Sequence, residues 1–378
     1  MFKHFLIAFL CCLTVMSCDT SKKAIITAEP QIVEKTVGRS PNKKAKNIIL
    51  MIGDGMGITQ ISAGMYSNSN SLNLERFKSI GLHKCYSSDA LITDSAAGAT
   101  AFACGRKTYN GAIGVDPDTI AIETILEEAE AMGLKTGLVV TSTIDHATPA
   151  SFIAHNRARG NYEEIALDFL KTDVEILIGG GQKSFERRKM DDRNLSEELR
   201  ANGYKVVSFV DKEIDEIDMT GVEKLMYYTA DGSPLPVSQG RDYLKPASNL
   251  AIDHLDKSNE DGFFLMIEGS QIDWGGHAND ANYIITEMIE FDKTIGAVLD
   301  FAEKDGNTLV IVTADHETGG FAIQKESKMD SLVTAFTSDY HTGDLIPVFA
   351  YGPGSEMFQG IYENTAIYFK MREAFGWD

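Results

Sequence analysis

Carboxylates and imidazoles gather at four points of this chain, three of them just past an apolar run. Asp54 follows Ile48–Ile52; Glu268, Asp273 and His277 follow Phe263–Ile267; Asp315 and His316 follow Leu309–Thr313; His341 follows Tyr340. Acids crowded together without cations would repel one another and protonate. Mixed with imidazoles they make a donor set suited to divalent metals, zinc above all. Three of the eight histidines, His277, His316 and His341, keep this company. Asp273 and His277 lie four residues apart, so both can face one metal if Trp274-Gly275-Gly276 turns or opens a helix.

A second candidate is Thr93-Asp94-Ser95-Ala96-Ala97-Gly98-Ala99-Thr100-Ala101, small residues that let a helix pack tightly. Gly105 is placed to end that helix and Asp94 to cap it. Ser95 falls in the first turn, where backbone N–H groups and the helix dipole favour an anion, either an alkoxide or a phosphate. No G-x-S-x-G elbow supports a Ser-His-Asp triad, so metal activation of the serine is the chemistry that fits. Two metals roughly 4 Å apart would serve phosphoryl transfer, one holding Ser95 as the attacking oxygen and one stabilising the departing oxygen. The equatorial phosphoryl oxygens also call for an arginine. Arg157 and Arg159 are expected on a helix after Pro149, where only one can face the site. Gly53-Asp54-Gly55-Met56-Gly57 is a poor dinucleotide fingerprint, because its third glycine falls one residue early and Asp54 would oppose a pyrophosphate.

The elements that must position these groups are legible as strand-like runs: Ile48–Ile52, Thr136–Thr141, Glu175–Ile178, Lys205–Phe209, Phe263–Ile267, Leu309–Thr313 and Pro347–Tyr351. Amphipathic helical patterns alternate with them at Ile120–Met132, Tyr162–Lys171, Ala247–Leu255 and Asn282–Ala302. Such alternation predicts an α/β protein, a mostly parallel sheet flanked by helices. Ligands of such sheets bind outside the carboxyl ends of the strands, where residues distant in sequence converge. The charged stretch Gln182–Arg200 is expected to be a surface excursion between two sheet segments, and no boundary follows residue 45.

At 378 residues with 43% hydrophobic content, the chain can bury a large core. A net charge of −20 without any Lys/Arg-rich block interleaved with aromatics argues against nucleic-acid binding as the main business. Lys3 and His4 precede twelve apolar or small residues, Phe5–Met16, the layout of an export signal over residues 1–17. Cys18, directly after a small residue, resembles a bacterial lipoprotein's lipidation site, although Val15-Met16 replaces the usual leucine-led triplet. Residues 18–44 then read as lipid anchor and polar tether, and 45–378 as the catalytic domain. Lipidation at Cys18 and ordinary signal cleavage at the same place both put the mature protein outside the cytoplasm, periplasmic or membrane-anchored. Cys85 and Cys104 are free to pair in that compartment if the fold brings them together.

N-I-I-L-M-I-G-D-G-M-G, T-D-S-A-A-G-A-T-A, H-A-T-P-A with an arginine eleven residues after its threonine, E-G-S-Q-I-D-W-G-G-H, T-A-D-H-E-T-G-G and H-T-G occur in that order over residues 45–360. In them the chain resembles the alkaline phosphatase family. The resemblance implies a single large three-layer sandwich with a central, mostly parallel sheet between helices. It implies phosphate monoester hydrolysis through a phosphoserine on Ser95, with Arg159 binding the phosphate. It also implies two Zn2+ and one Mg2+: Asp273, His277 and His341 at the first zinc, Asp54, Asp315 and His316 at the second, and Asp54, Thr148 and Glu268 around the magnesium. Asp94, His146 and Trp274 stand behind these. Trp274 occupies a place where many relatives carry lysine or histidine, and His146 one where some carry aspartate, which leaves the magnesium preference open. Only 24 residues separate His316 from His341, too few for a large inserted interface domain, so a homodimer would have to form without one. Two rivals remain: a phosphodiesterase, phosphonate hydrolase or sulfatase on a similar scaffold, and a non-catalytic metal-binding surface lipoprotein. Threonine or a modified nucleophile would suit the first, and Ser95 with Arg159 would be superfluous in the second.

Overall fold

The run N-I-I-L-M-I-G forms the central strand, β1 (Asn47–Gly53), and every residue in it is buried. An unbroken apolar run is what a strand covered on both faces requires. Its side chains alternate between two cores: Ile48, Leu50 and Ile52 on one side of the sheet, Ile49 and Met51 on the other. The computed structural model describes residues 43–258, 260–329 and 331–377. The signal segment 1–17, Cys18 and almost all of the 18–44 tether lie outside them.

After β1 come α1 (Ile58–Ser67), β2 (Ser79–Lys84), α2 (Ser95–Cys104), α3 (Ile125–Ala131), β3 (Lys135–Thr143), α4 (Ala147–Ala150) and α5 (Tyr162–Asp168). The middle of the chain carries β4 (Ile176–Gly180), α6 (Gln182–Glu186), α7 (Leu195–Ala201), β5 (Tyr204–Ser208) and β6 (Lys224–Tyr228). There follow α8 (Leu244–Ser258), β7 (Phe263–Gly269), α9 (Gln271–His277), α10 (Ala281–Asp305) and β8 (Thr308–Thr313). Short pieces β9 (Glu317–Thr318), β10 (Ala322–Ile323), β11 (Thr334–Ala335) and β12 (His341–Thr342) precede β13 (Leu345–Tyr351), β14 (Gly360–Glu363) and α11 (Ala366–Phe375).

Ten strands form one sheet in the order β14-β2-β13-β8-β1-β7-β3-β4-β6-β5. Only β13 runs antiparallel to its neighbours, β2 and β8. One face is covered by α2, α3, α5 and α11 through Phe102, Ile125, Ile165 and Met371. The other is covered by α8 and α10 through Leu255, Ile284, Phe291 and Leu299. This is the three-layer α/β sandwich with a mostly parallel sheet that the sequence implies.

Register explains why the site residues meet. Ile52 of β1 pairs with Thr313 of β8 and with Glu268 of β7, and Glu268 pairs in turn with Val140 of β3. Asp54 and Asp315, each two residues past a member of that row, therefore emerge level with one another.

Several expectations need correction. The helix expected over Ile120–Met132 starts only at Ile125, because Thr124 and Glu127 close a reciprocal capping box there. Arg157 and Arg159 are not helical: α4 is a single turn, and the chain beyond it is held extended by paired hydrogen bonds between Ile113 and Asn156. The stretch 182–200 is more than a surface excursion, since α6 and α7 bury Phe185, Leu195 and Leu199. Strands β2, β6 and β14 escaped the sequence reading. Cys85 and Cys104 are buried free thiols, each directed at a backbone carbonyl, Asp344 and Ile122 respectively.

Candidate active site

Ser95 opens α2, and the side chain of Asp94 caps that helix by accepting the Ala97 N–H at 3.0 Å. All ten residues of α2 are buried, which their small size permits. Gly98 lies so close to Asp315 that a Cβ would approach the Asp315 Cβ to 2.9 Å, so the helix can seat its first turn against the strand end. Ser95 Oγ comes to rest 3.5 Å from Asp54 Oδ1 and 3.3 Å from His316 Nε2.

Asp273 and His277 lie one turn apart on α9, with Asp273 Oδ1 3.4 Å from His277 Nε2. His341 Nε2 closes the triangle, 3.5 Å from the same oxygen and 3.2 Å from His277 Nε2. Each of these two rings engages a backbone carbonyl through Nδ1, His277 at Asp339 (2.7 Å) and His341 at Thr93 (2.8 Å). Those bonds fix the tautomer with the Nε2 lone pair turned inward, the arrangement typical of metal-ligating histidine. In a second triangle His316 Nε2 is 3.5 Å from Asp54 Oδ1 and 3.3 Å from Asp315 Oδ2.

These separations fit a cation better than hydrogen bonds. Ligands about 2.0–2.1 Å from a tetrahedral zinc lie about 3.4 Å from one another. Asp54, His146 and Glu268 form a third group whose ligand atoms all fall within 4.8 Å. Asp54 Oδ2, Asp315 Oδ2, Glu268 Oε1 and His146 Nδ1 are buried without a hydrogen-bond partner, a costly state for four neighbouring polar atoms unless a cation takes them up. The donor set therefore fits divalent metals.

Protonation tells the same story. Burial first, then the charges of Asp315, Asp273 and Glu268, raise the Asp54 carboxyl well above its ordinary value. Burial likewise pushes Glu268 up to about 8, against the hydroxyls of Ser270, Thr148 and Ser142 and together with the charge of Asp315. His316 is driven well below its usual value by burial and by His341. So charged carboxylates are costly here until positive charge arrives, and the imidazole stays neutral, as a ligand must.

Arg159 reaches the site from its loop and pairs with Asp94 through Nη1 at 2.9 Å. Arg157 stays on the exposed surface. Thr148 lies buried in α4, beside His146 and Glu268. Trp274 sits edge-on to His146, ring centroids 6.2 Å apart, so the two departures from the family pattern touch each other. His146, expected only behind the ligands, stands among the ligating atoms of the third group. Thr318 was not foreseen: its hydroxyl donates to Asp273 Oδ1 at 2.5 Å and lies 3.2 Å from His316 Nδ1, joining the two triangles. Its place two residues after His316 was the only available signal.

The alkaline phosphatase family profile matches residues 45–335. Alkaline phosphatase 3 of Bacillus subtilis is 36% identical, over 85% of this chain and 87% of its own length. The alkaline phosphatase of the Antarctic bacterium TAB5 is 46% identical and superposes with a TM-score of 0.85, covering 89% of this chain and 99% of that one. A variant of the TAB5 enzyme, solved with Mg bound in the M3 site, superposes with a TM-score of 0.84 at 46% identity and the same coverage. The chain belongs to the alkaline phosphatase family. It is a metal-binding hydrolase of phosphate monoesters and acts on small phosphorylated substrates.

Proposed function

We propose that Ser95 is the nucleophile of a phosphomonoesterase that works through a phosphoserine, with two Zn2+ and one Mg2+ as its metals. The observation that carries this reading is the placement of Ser95 Oγ within 3.5 Å of Asp54 Oδ1 and His316 Nε2, at the start of a helix. Asp273, His277 and His341 would hold one zinc, and Asp54, Asp315 and His316 the other. Asp54, Thr148 and Glu268 would hold the magnesium, with His146 close enough to join them. Cations bound at these groups would neutralise the carboxylates, favour the ionised serine and offset charge on the leaving oxygen.

The chain's own residues supply the rest. Asp94 accepts from Ala97 N, Gly111 N and Arg159, so it holds the helix start and the guanidinium in one frame. Only Nη1 of Arg159 is engaged there, which leaves the remainder of the planar fork for two phosphoryl oxygens. Ser95 Oγ attacks phosphorus, the bond to the alcohol oxygen breaks, and the phosphoryl group rests on the serine. A water then takes it off, returning Ser95 and releasing phosphate. Turnover of p-nitrophenyl phosphate, compared with its diester and sulfate analogues with and without a chelator, tests this. Preference for the diester or sulfate, or turnover indifferent to chelation, would overturn it.

Residues 1–17 are read as an export signal and Cys18 as a lipid anchor. Among the described residues no helix is long and apolar enough to cross a membrane. Labelled fatty acid should enter the native protein and not a Cys18→Ser variant.

A further inference from the structure

His341 is carried by the smallest element of the fold. Strands β9 and β12 contribute two residues each, pairing His341 with Thr318 and Thr342 with Glu317. Isolated two-stranded pairs are marginal even at several times this length. A slip of one residue would turn Thr342 toward Asp273 in place of His341, because successive side chains point to opposite faces. Something other than the two-residue ladder must therefore hold the register.

Glu317 is placed to do so. Its carboxylate is buried, and four donors from three segments of the chain converge on it. Oε1 accepts from Gln60 Nε2 at 2.6 Å and Phe321 N at 3.1 Å; Oε2 accepts from Gly320 N at 3.1 Å and Thr342 Oγ1 at 2.5 Å. Gln60 belongs to α1 and also donates to the Thr318 carbonyl at 2.9 Å. The helix after Asp54, the turn after Thr318 and the strand bearing His341 are thus tied to one side chain. A Cβ on Gly57 would meet Glu317 Cγ at 2.4 Å, so glycine there lets α1 approach this close. On the other face of the same ladder the His316 and His341 rings stack, centroids 3.5 Å apart.

We propose that Glu317 is a positioning residue. By binding Thr342 it locks the β9–β12 register, so that His341 faces Asp273 and His277 and their metal group stays complete. This rests on the assignment of zinc to that group made above. Wild type, Thr342→Val and Glu317→Gln are loaded with zinc and titrated with a chelator, following zinc release, p-nitrophenyl phosphate turnover and melting of the metal-free proteins.

The expected result is that both variants release one zinc at chelator levels 10- to 100-fold lower than wild type, the usual consequence of losing a partner behind a ligand. The other zinc should be retained as in wild type, and turnover should return with excess zinc. Thr342→Val removes a single hydroxyl, and decides the matter if Glu317→Gln does not fold. Release curves that match wild type in the folded variants, or simultaneous loss of both zincs, overturn the proposal. Wild-type protein that binds no zinc overturns the site assignment as well.

Discussion

A serine hydroxyl is a weak nucleophile, and what distinguishes Ser95 is its surroundings: a helix start, a buried carboxylate and a neutral imidazole, all within 3.5 Å or its own turn. If it forms the covalent intermediate, nothing nearby can replace it. Ser95→Ala should lower p-nitrophenyl phosphate turnover by roughly 10³-fold or more, while zinc content stays at the wild-type level. Turnover within tenfold of wild type would remove Ser95 from the mechanism. Trp274 poses the opposite question, since it puts an aromatic ring against His146, at a place where the family resemblance implies lysine or histidine in many relatives. A lysine there adds positive charge near the phosphate, worth about 1 kcal/mol at a partly exposed position. Trp274→Lys should therefore lower the inhibition constant for inorganic phosphate, on the order of fivefold. An unchanged or higher constant would sink the charge argument.

Burial alone did not decide which elements were legible: β6, buried but for Lys224, escaped, while the half-buried β5 was read. β1, β7 and β8 carry apolar runs of about five residues because helices cover both faces, and the acids at or after their ends mark the sheet's carboxyl edge without any coordinates. β14 and β2 lie toward one edge of the sheet; S-I-G-L-H-K of β2 mixes exposed with buried positions and G-I-Y-E of β14 has no fully buried one, which blurs the signal. Arg159 was found and its setting was not, because bonds to distant Ile113, rather than local propensity, shape the loop that carries it. Glu317 could not be weighed at all from sequence, since its four donors come from three separate segments. One element carries a pH prediction. Glu130, near the end of α3, accepts from Thr136 Oγ1 and Asp173 N, and burial pushes it up to about 7. A folded-state value above the ordinary one means the folded protein keeps this proton longer than the unfolded chain does. The site's contribution to stability is therefore full below about pH 4.3 and is lost as pH rises through 7. Glu130→Gln removes that titration. Its melting temperature relative to wild type should be higher at pH 8 than at pH 5, by on the order of 2 °C. Calorimetry giving equal differences at the two pH values would refute the linkage.

Across the whole molecule, the groups that could hold metal are spread from Asp54 to His341, on β7 and β12 and on segments that follow β1, β3, β7 and β8. The polypeptide buries several carboxylates at one rim whose repulsion must be relieved by protons or by bound cations, in a chain already at −20. Metal uptake must then act as a set of cross-links between distant parts of the chain as well as loading a catalyst. A ligand that binds only the folded state, present at a thousand times its dissociation constant, adds about 4 kcal/mol of stability. Chelation should thus lower the melting temperature by on the order of 10 °C along with abolishing turnover. The pH dependence has a definite sign. Asp54, Asp315 and Glu268 all hold protons above the ordinary carboxylate range when no cation is bound, so zinc must displace protons to enter. The zinc-induced gain in melting temperature should shrink steadily from pH 8 to pH 5, with proton release measurable in weakly buffered solution. A gain that is constant across that range would mean the cations bind somewhere other than these carboxylates.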